Sequence, residues 1–168
     1  MLVIGIDPGT ATTGYGVIQE HGQGGLKLID FGVILTPSEL AMPERLLLLY
    51  NRLQEIVLLH RPHSGAVEKI FFQRNVKTAF SVGQARGVAL LSLAKASVPV
   101  AEYTPLEVKQ AVAGYGKADK RQMQAMVKTL LGMDTLPYPD DAADALAVAI
   151  CHVNTARTRS LYMQEASK

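Results

Sequence analysis

The chain holds a single cysteine, Cys151, set inside an apolar stretch. A disulfide framework and a zinc knuckle are both excluded, and a reducing compartment suits it. No apolar run approaches the ~20 residues that a membrane-spanning helix needs. The opening residues, Met1 to Ile6, are too few and lack the basic flank of a signal peptide, which leaves the cytoplasm as the expected location. Internal repeats, low-complexity segments and linker-like stretches are missing too. Charged residues are sparse at 19%, against 48% hydrophobic, a balance that argues for an ordinary globular core and against disorder.

What remains suits one domain. A core built from 168 residues buries roughly 70% of the surface that the unfolded chain exposes. The expected division is a single domain over 1–157 and a frayed tail over 158–168. Net charge is only +2, but it is unevenly spread: residues 1–60 carry −3, residues 61–133 carry +7 and residues 134–168 carry −2. A basic middle between acidic ends suits a protein that offers lysines and arginines to phosphates around a carboxylate-rich centre. The same basic residues could equally solvate helix faces.

Leu2–Asp7 is a short apolar run ending in Asp-Pro-Gly-Thr, a buried strand followed by a tight turn. Gly14–Glu20 and Leu26–Leu35, separated by Gly22, Gly24 and Gly25, continue it as a meander. A helix opens at Pro43 and Glu44 and stops near His60, because Pro62 drives the preceding residue out of the α region. Gly65–Glu68 is a fourth strand, parallel to an earlier one because a helical crossover precedes it. Asn75–Lys95 is helical, and Val98–Glu102 is a fifth strand. Thr104-Pro105-Leu106-Glu107 is a capping box that starts a helix ending at Gly114. Met123, Met126, Val127 and Leu130 mark another helix, with Gly132 past its end. Pro139 begins the last, apolar on almost every side from Ala142 to Val153. The order predicts an α/β fold with a mixed five-stranded sheet and helices on both faces, the order of the ribonuclease H-like fold.

Acidic residues inside apolar sequence are the informative feature. Asp7 ends one buried strand and Glu68 another, while Asp144 interrupts the apolar face of the last helix. Asp141 and Asp144, three apart, project from one side of that helix. If the strands of Asp7 and Glu68 are neighbours, all four carboxylates meet at one edge of the sheet. There they would raise one another's pKa unless a cation neutralised them. Oxygen-only ligands select hard divalent ions, Mg²⁺ first and Mn²⁺ next. Each acid also has a plainer explanation: Asp7 as a turn residue, Glu68 as a surface position, Asp140 as the helix N-cap and Asp141 as a first-turn anion. Asp144 has the least, since an uncompensated aspartate in a helical core is costly.

These residues sit in a pattern that resembles the RuvC family of Holliday junction resolvases. The matching segments are Ile4-Gly5-Ile6-Asp7-Pro8-Gly9-Thr10, Thr13-Gly14-Tyr15-Gly16, Ala66-Val67-Glu68 with Phe71, Gly83-Gln84-Ala85-Arg86-Gly87, Val108-Lys109-Gln110, and Asp141-Ala142-Ala143-Asp144-Ala145-Leu146-Ala147. They fall in order over residues 1 to about 155. The resemblance implies a metal-dependent endonuclease that resolves four-way DNA junctions by paired symmetric nicks, in recombination and repair. It implies Asp7, Glu68, Asp141 and Asp144 as catalytic, metal-binding carboxylates, a homodimer with two active sites, and the RuvA–RuvB branch-migration complex as partner. With two Mg²⁺ ions per site, replaceable by Mn²⁺, Asp7 is expected to bridge them, Glu68 and Asp144 to complete opposite sides, and Asp141 to support one.

Phe71 and Phe72 lie beside Lys69, Arg74 and Lys77, an aromatic and basic cluster suited to an unpaired junction centre, where stacking on a base is worth ~1–3 kcal/mol. The resemblance favours Phe71 for the DNA contact, with the other ring capping the core. Arg74, Lys77, Lys109 and Lys120 are expected on phosphates; Arg121 and Lys128 fit that role or a solvated face. His152 reads as a plain helix residue. The small residues around Gly83 and Gly87 suggest the dimer interface. Two other readings stay open: the Asp7 turn also resembles the phosphate-binding hairpin of actin- and sugar-kinase-like phosphotransferases, which need two such domains, and the chain could bind junctions without cutting them.

Overall fold

A computed structural model describes residues 1–69 and 76–166, without the side chains of residues 23, 76–78 and 159–166. Strands β1 (Leu2–Asp7), β2 (Thr12–Glu20) and β3 (Leu26–Leu35) form an antiparallel meander. Helix α1 (Met42–His60) crosses to β4 (Ser64–Glu68), which runs parallel to β1. Helix α2 (Val76–Lys95) leads to β5 (Val100–Tyr103), parallel to β4. Helices α3 (Pro105–Ala113), α4 (Lys120–Leu131) and α5 (Asp140–Ala166) follow. The five strands form one sheet in the order β3-β2-β1-β4-β5, so the mixed sheet expected from the sequence is the one formed.

The helix starts are set locally. Thr104 Oγ1 accepts the Glu107 N–H at 3.2 Å while Glu107 Oε2 accepts the Thr104 N–H at 2.7 Å, the reciprocal box expected there. Asp119 and Gln122 make the same exchange at the start of α4. Gly114 and Gly132 end α3 and α4 in the left-handed conformation, with φ of 82° and 61°. Asp140 departs from expectation. The Pro139 carbonyl takes the first helical bonds of α5, from Ala142 and Ala143, so Asp140 lies inside the first turn and caps nothing. Its carboxylate accepts instead from Lys120 Nζ at 2.9 Å and Gln124 Nε2 at 2.7 Å. The backbone of α5 stays helical to Ala166, past the Arg157 at which the sequence suggests the domain ends.

The alternating pleat sorts the strands between two cores. Ile4 and Ile6 of β1 and Val67 of β4 pack with Leu49, Leu53, Ala89 and Leu93 of α1 and α2. Val3 and Ala66 face the other way, against Leu146, Ala149 and Ile150 of α5 and the buried residues of α3 and α4. Asp7 and Glu68 share the parity of Val3 and Ala66, so both point toward α5. Arg86 of α2 and Glu102 of β5 form an ion pair that ties helix to sheet edge.

Candidate active site

Parallel pairing of β1 with β4 matches Ile6 to Val67. The next residue on each strand is an acid, so Asp7 and Glu68 emerge side by side from neighbouring strand ends. Helix α5 brings the other two because glycines on the strands beneath it let it approach closely. Gly5, Gly14 and Gly16 lie under the helix; a Cβ on Gly14 would overlap the Asp141 carbonyl, one on Gly5 the Ala145 carbonyl, and one on Gly16 the Leu146 side chain. Gly14 is the register partner of Asp7, so the contact of α5 on Gly14 sets the helix start, with Asp141 and Asp144, over the strand end that carries Asp7.

The electrostatics follow from this convergence. Burial pushes the Asp7 carboxyl up to about 8, helped by the charges of Glu68, Asp144 and Asp141 and by its hydrogen bond with Glu68. Burial also raises Glu68, as does Asp144, while the hydrogen bond to Asp7 and the Lys109 charge pull it down. Asp144 is raised chiefly by burial, opposed by Lys120 and Lys109 and reinforced by Asp141 and Asp140; 40% of its side chain is accessible. Asp7 is therefore within electrostatic reach of the other three carboxylates, and Asp144 of both Glu68 and Asp141. Among the described residues no three acidic, histidine or cysteine side chains stand in ready-made metal-binding geometry; Asp7 and Glu68 instead hydrogen-bond to each other. The donor set, oxygens alone on acids that resist ionisation together, is that of a hard divalent cation.

The basic residues divide. Lys109 lines a cavity of about 60 Å³ with Glu68 and Asp144. Lys120 Nζ lies 2.9 Å from Asp140 and 4.0 Å from Asp144. Both lysines thus belong to the acidic centre, which the sequence placed only on a DNA-facing surface. Arg121 is exposed and Lys128 half-buried on α4, with neither near the acids by any contact described. Phe71, Phe72 and Arg74 lie outside the described residues, as does the side chain of Lys77. His152 is more than a plain helix residue: its ring joins Tyr103 Oη at 2.9 Å and Ser64 Oγ at 3.0 Å, fastening α5 to β5 and β4. The sequence signal missed for Asp140 is its i, i+4 relation to Asp144, which lets one lysine serve both.

A mixed sheet in this strand order, with acids gathered at one end beneath the last helix, is the ribonuclease H-like class of fold, which houses metal-dependent nucleases. Residues 3–152 match the family model described as "Crossover junction endodeoxyribonuclease RuvC". A Chloroflexus aurantiacus protein of that name is 62% identical over 158 residues, covering 94% of this chain and 96% of its own. The Thermus thermophilus RuvC structure superposes with a TM-score of 0.88 at 39% identity, covering 94% of this chain and 96% of that one. The same protein in complex with a Holliday junction substrate gives 0.86 at 37%, with the same coverage. The chain belongs to the RuvC family of crossover junction endodeoxyribonucleases. By that membership it is a metal-dependent nuclease of DNA recombination and repair that resolves Holliday junctions, and the phosphotransferase reading falls away. No helix among the described residues is long and apolar enough to cross a membrane.

Proposed function

We propose that this chain binds four-way junction DNA and resolves it by two symmetric nicks, with Asp7, Glu68, Asp141 and Asp144 as the catalytic, metal-binding carboxylates. The observation that carries the assignment is the pairing of Asp7 with Glu68 on adjacent parallel strand ends, both facing the helix that bears Asp144. In this reading the four acids hold two Mg²⁺ ions, replaceable by Mn²⁺, which when bound supply an activated water and neutralise charge on the scissile phosphate. The protein's own part is placement. The strand ends and the flat contact of α5 hold the carboxylates where like charges would otherwise drive them apart. Lys109 and Lys120 set positive charge beside the acids, where a phosphate must approach. Phe71 is proposed as a further DNA contact on the strength of the family resemblance, and Arg74 and Lys77 as the basic residues beside it in sequence.

The proposal includes a homodimer, since a two-fold symmetric junction needs two cuts related by that symmetry. Phe80 and Leu91 are 74% and 60% exposed on α2. Gly83 and Gly87 fall between them at helical spacing, with open space where a Cβ would stand, so a second helix could approach closely. Family membership supports residues 1–157 as the nuclease domain, a cytoplasmic setting and work alongside RuvA–RuvB. The deciding experiment compares binding and cleavage of four-way and linear DNA with Mg²⁺ or with chelator. Paired nicks confined to the junction and to Mg²⁺ are the expected result; cleavage that persists in chelator overturns it.

A further inference from the structure

We propose that Arg45 is a positioning residue for Asp7, acting through the turn that joins β1 to β2; the inference rests on the assignment of Asp7 above. Asp7 is the last residue of β1, and the turn to β2 begins directly after it. Beyond the pairing of Asp7 with Gly14, how firmly this strand end is placed depends on how the turn is held. Here it is held from two sides. On one, Thr13 Oγ1 donates to the Gly9 carbonyl at 2.7 Å and accepts the Gly9 N–H at 3.3 Å. On the other, the Thr10 carbonyl accepts from Arg45 Nη2 at 3.0 Å and from the Thr36 hydroxyl.

Arg45 belongs to α1, on the face of the sheet opposite α5. Its Nη2 also donates to the Thr36 carbonyl at 3.3 Å and its Nε to Thr36 Oγ1 at 3.1 Å, while the Thr36 amide donates to the Ala11 carbonyl at 3.0 Å. One guanidinium therefore joins the turn after Asp7 to the segment leaving β3, and both to the first turn of α1. Guanidinium-to-carbonyl bonds are charge-assisted, and the rigid planar fork reaches two carbonyls and a hydroxyl from two separate nitrogens, where an ammonium has only one. Thr36 is buried, so water is a poor substitute for these partners. Arg45 touches none of the four acids through any bond described; it governs where the first of them stands.

The test uses Arg45→Met, which keeps the stem and loses every donor, with Arg45→Lys and Thr36→Val. In the metal-free protein, hydrogen exchange should quicken in residues 8–13 for Arg45→Met and Thr36→Val but stay unchanged in α2 and α5. Calorimetric Mg²⁺ affinity should fall about 10-fold, and single-turnover junction cleavage ~10–100-fold, the range typical for residues that support metal ligands. Junction binding in chelator should hold, and Arg45→Lys should recover only part of the loss. A merely structural arginine would lower the melting temperature while leaving Mg²⁺ affinity and local exchange at the parent's values, and that result overturns the proposal. Asp7→Asn in the same assays separates the two claims. If it still cuts, the assignment of Asp7 is wrong; if it is inactive while Arg45→Met behaves as the parent, only the role of Arg45 fails.

Discussion

Gly14 lies directly beneath the main chain of Asp141, so closely that a methyl group there would overlap the Asp141 carbonyl oxygen. Because Gly14 is also the register partner of Asp7, this one contact fixes how far apart two of the four acids can stand. Gly14→Ala should lift the start of α5, cost about 3 kcal/mol through overpacking, and remove cleavage along with it. Urea unfolding measures the first effect; junction cleavage by the folded fraction measures the second.

Asp7→Asn keeps the shape of the side chain and removes its charge. Cleavage should fall by at least ~100-fold, since a metal ligand contributes several kcal/mol to the transition state. Junction affinity in chelator should persist or improve, because a negative charge beside phosphates has gone. A gel-shift assay paired with a nicking assay checks both, and loss of binding by a folded variant counts against the role.

Without metal, stability should fall as pH rises. The Asp7 carboxyl titrates near 8 in the folded chain against an ordinary value of 3.8, so between those limits the native state holds a proton that the unfolded chain has released. Deprotonation therefore disfavours the fold across that window. Melting temperature in chelator should drop from pH 5 to pH 8.5, and added Mg²⁺ should restore most of it. Asp7→Asn should flatten the profile and stabilise the metal-free protein by ~2 kcal/mol at high pH, less than the full shift because Asp7 and Glu68 titrate as an interacting pair.

Lys120 holds Asp140 and reaches toward Asp144, and its own pKa is raised by the hydrogen bond to Asp140. If it also meets a phosphate in the complex, Lys120→Met should lessen the slope of log affinity against log salt by about one. An unchanged slope would confine this lysine to the acidic centre.

Phe80→Asp together with Leu91→Lys should leave a folded monomer that nicks single strands but no longer pairs its cuts. Sedimentation and the ratio of nicked to resolved junction report the two outcomes. A dimer that survives both charges moves the interface off this face of α2.

The sheet was legible because its signals are local. Period-two burial, the Asp-Pro-Gly-Thr turn, the Thr104 box and the stop glycines each act within a few residues, and most strand and helix bounds came out within about two positions of the observed ones, whereas α5 runs on to Ala166, well past the expected end near Arg157. The acids were legible for a related reason, since a carboxylate inside apolar sequence is conspicuous whatever surrounds it. Asp140 was misjudged because capping and ion pairing call for the same residue at a helix start; only the place of Lys120, on another helix, decides between them.

Sequence alone thus determined which strands and helices form, which residues are acidic within them, and through its motifs the family. Tertiary structure decided the rest: that Asp7 and Glu68 share a face, that three glycines let α5 lie flat enough to bring Asp141 and Asp144 to them, and that Lys120, His152 and Arg45 hold these pieces together. Those relations join residues far apart in the chain, and they exist only after the layers pack.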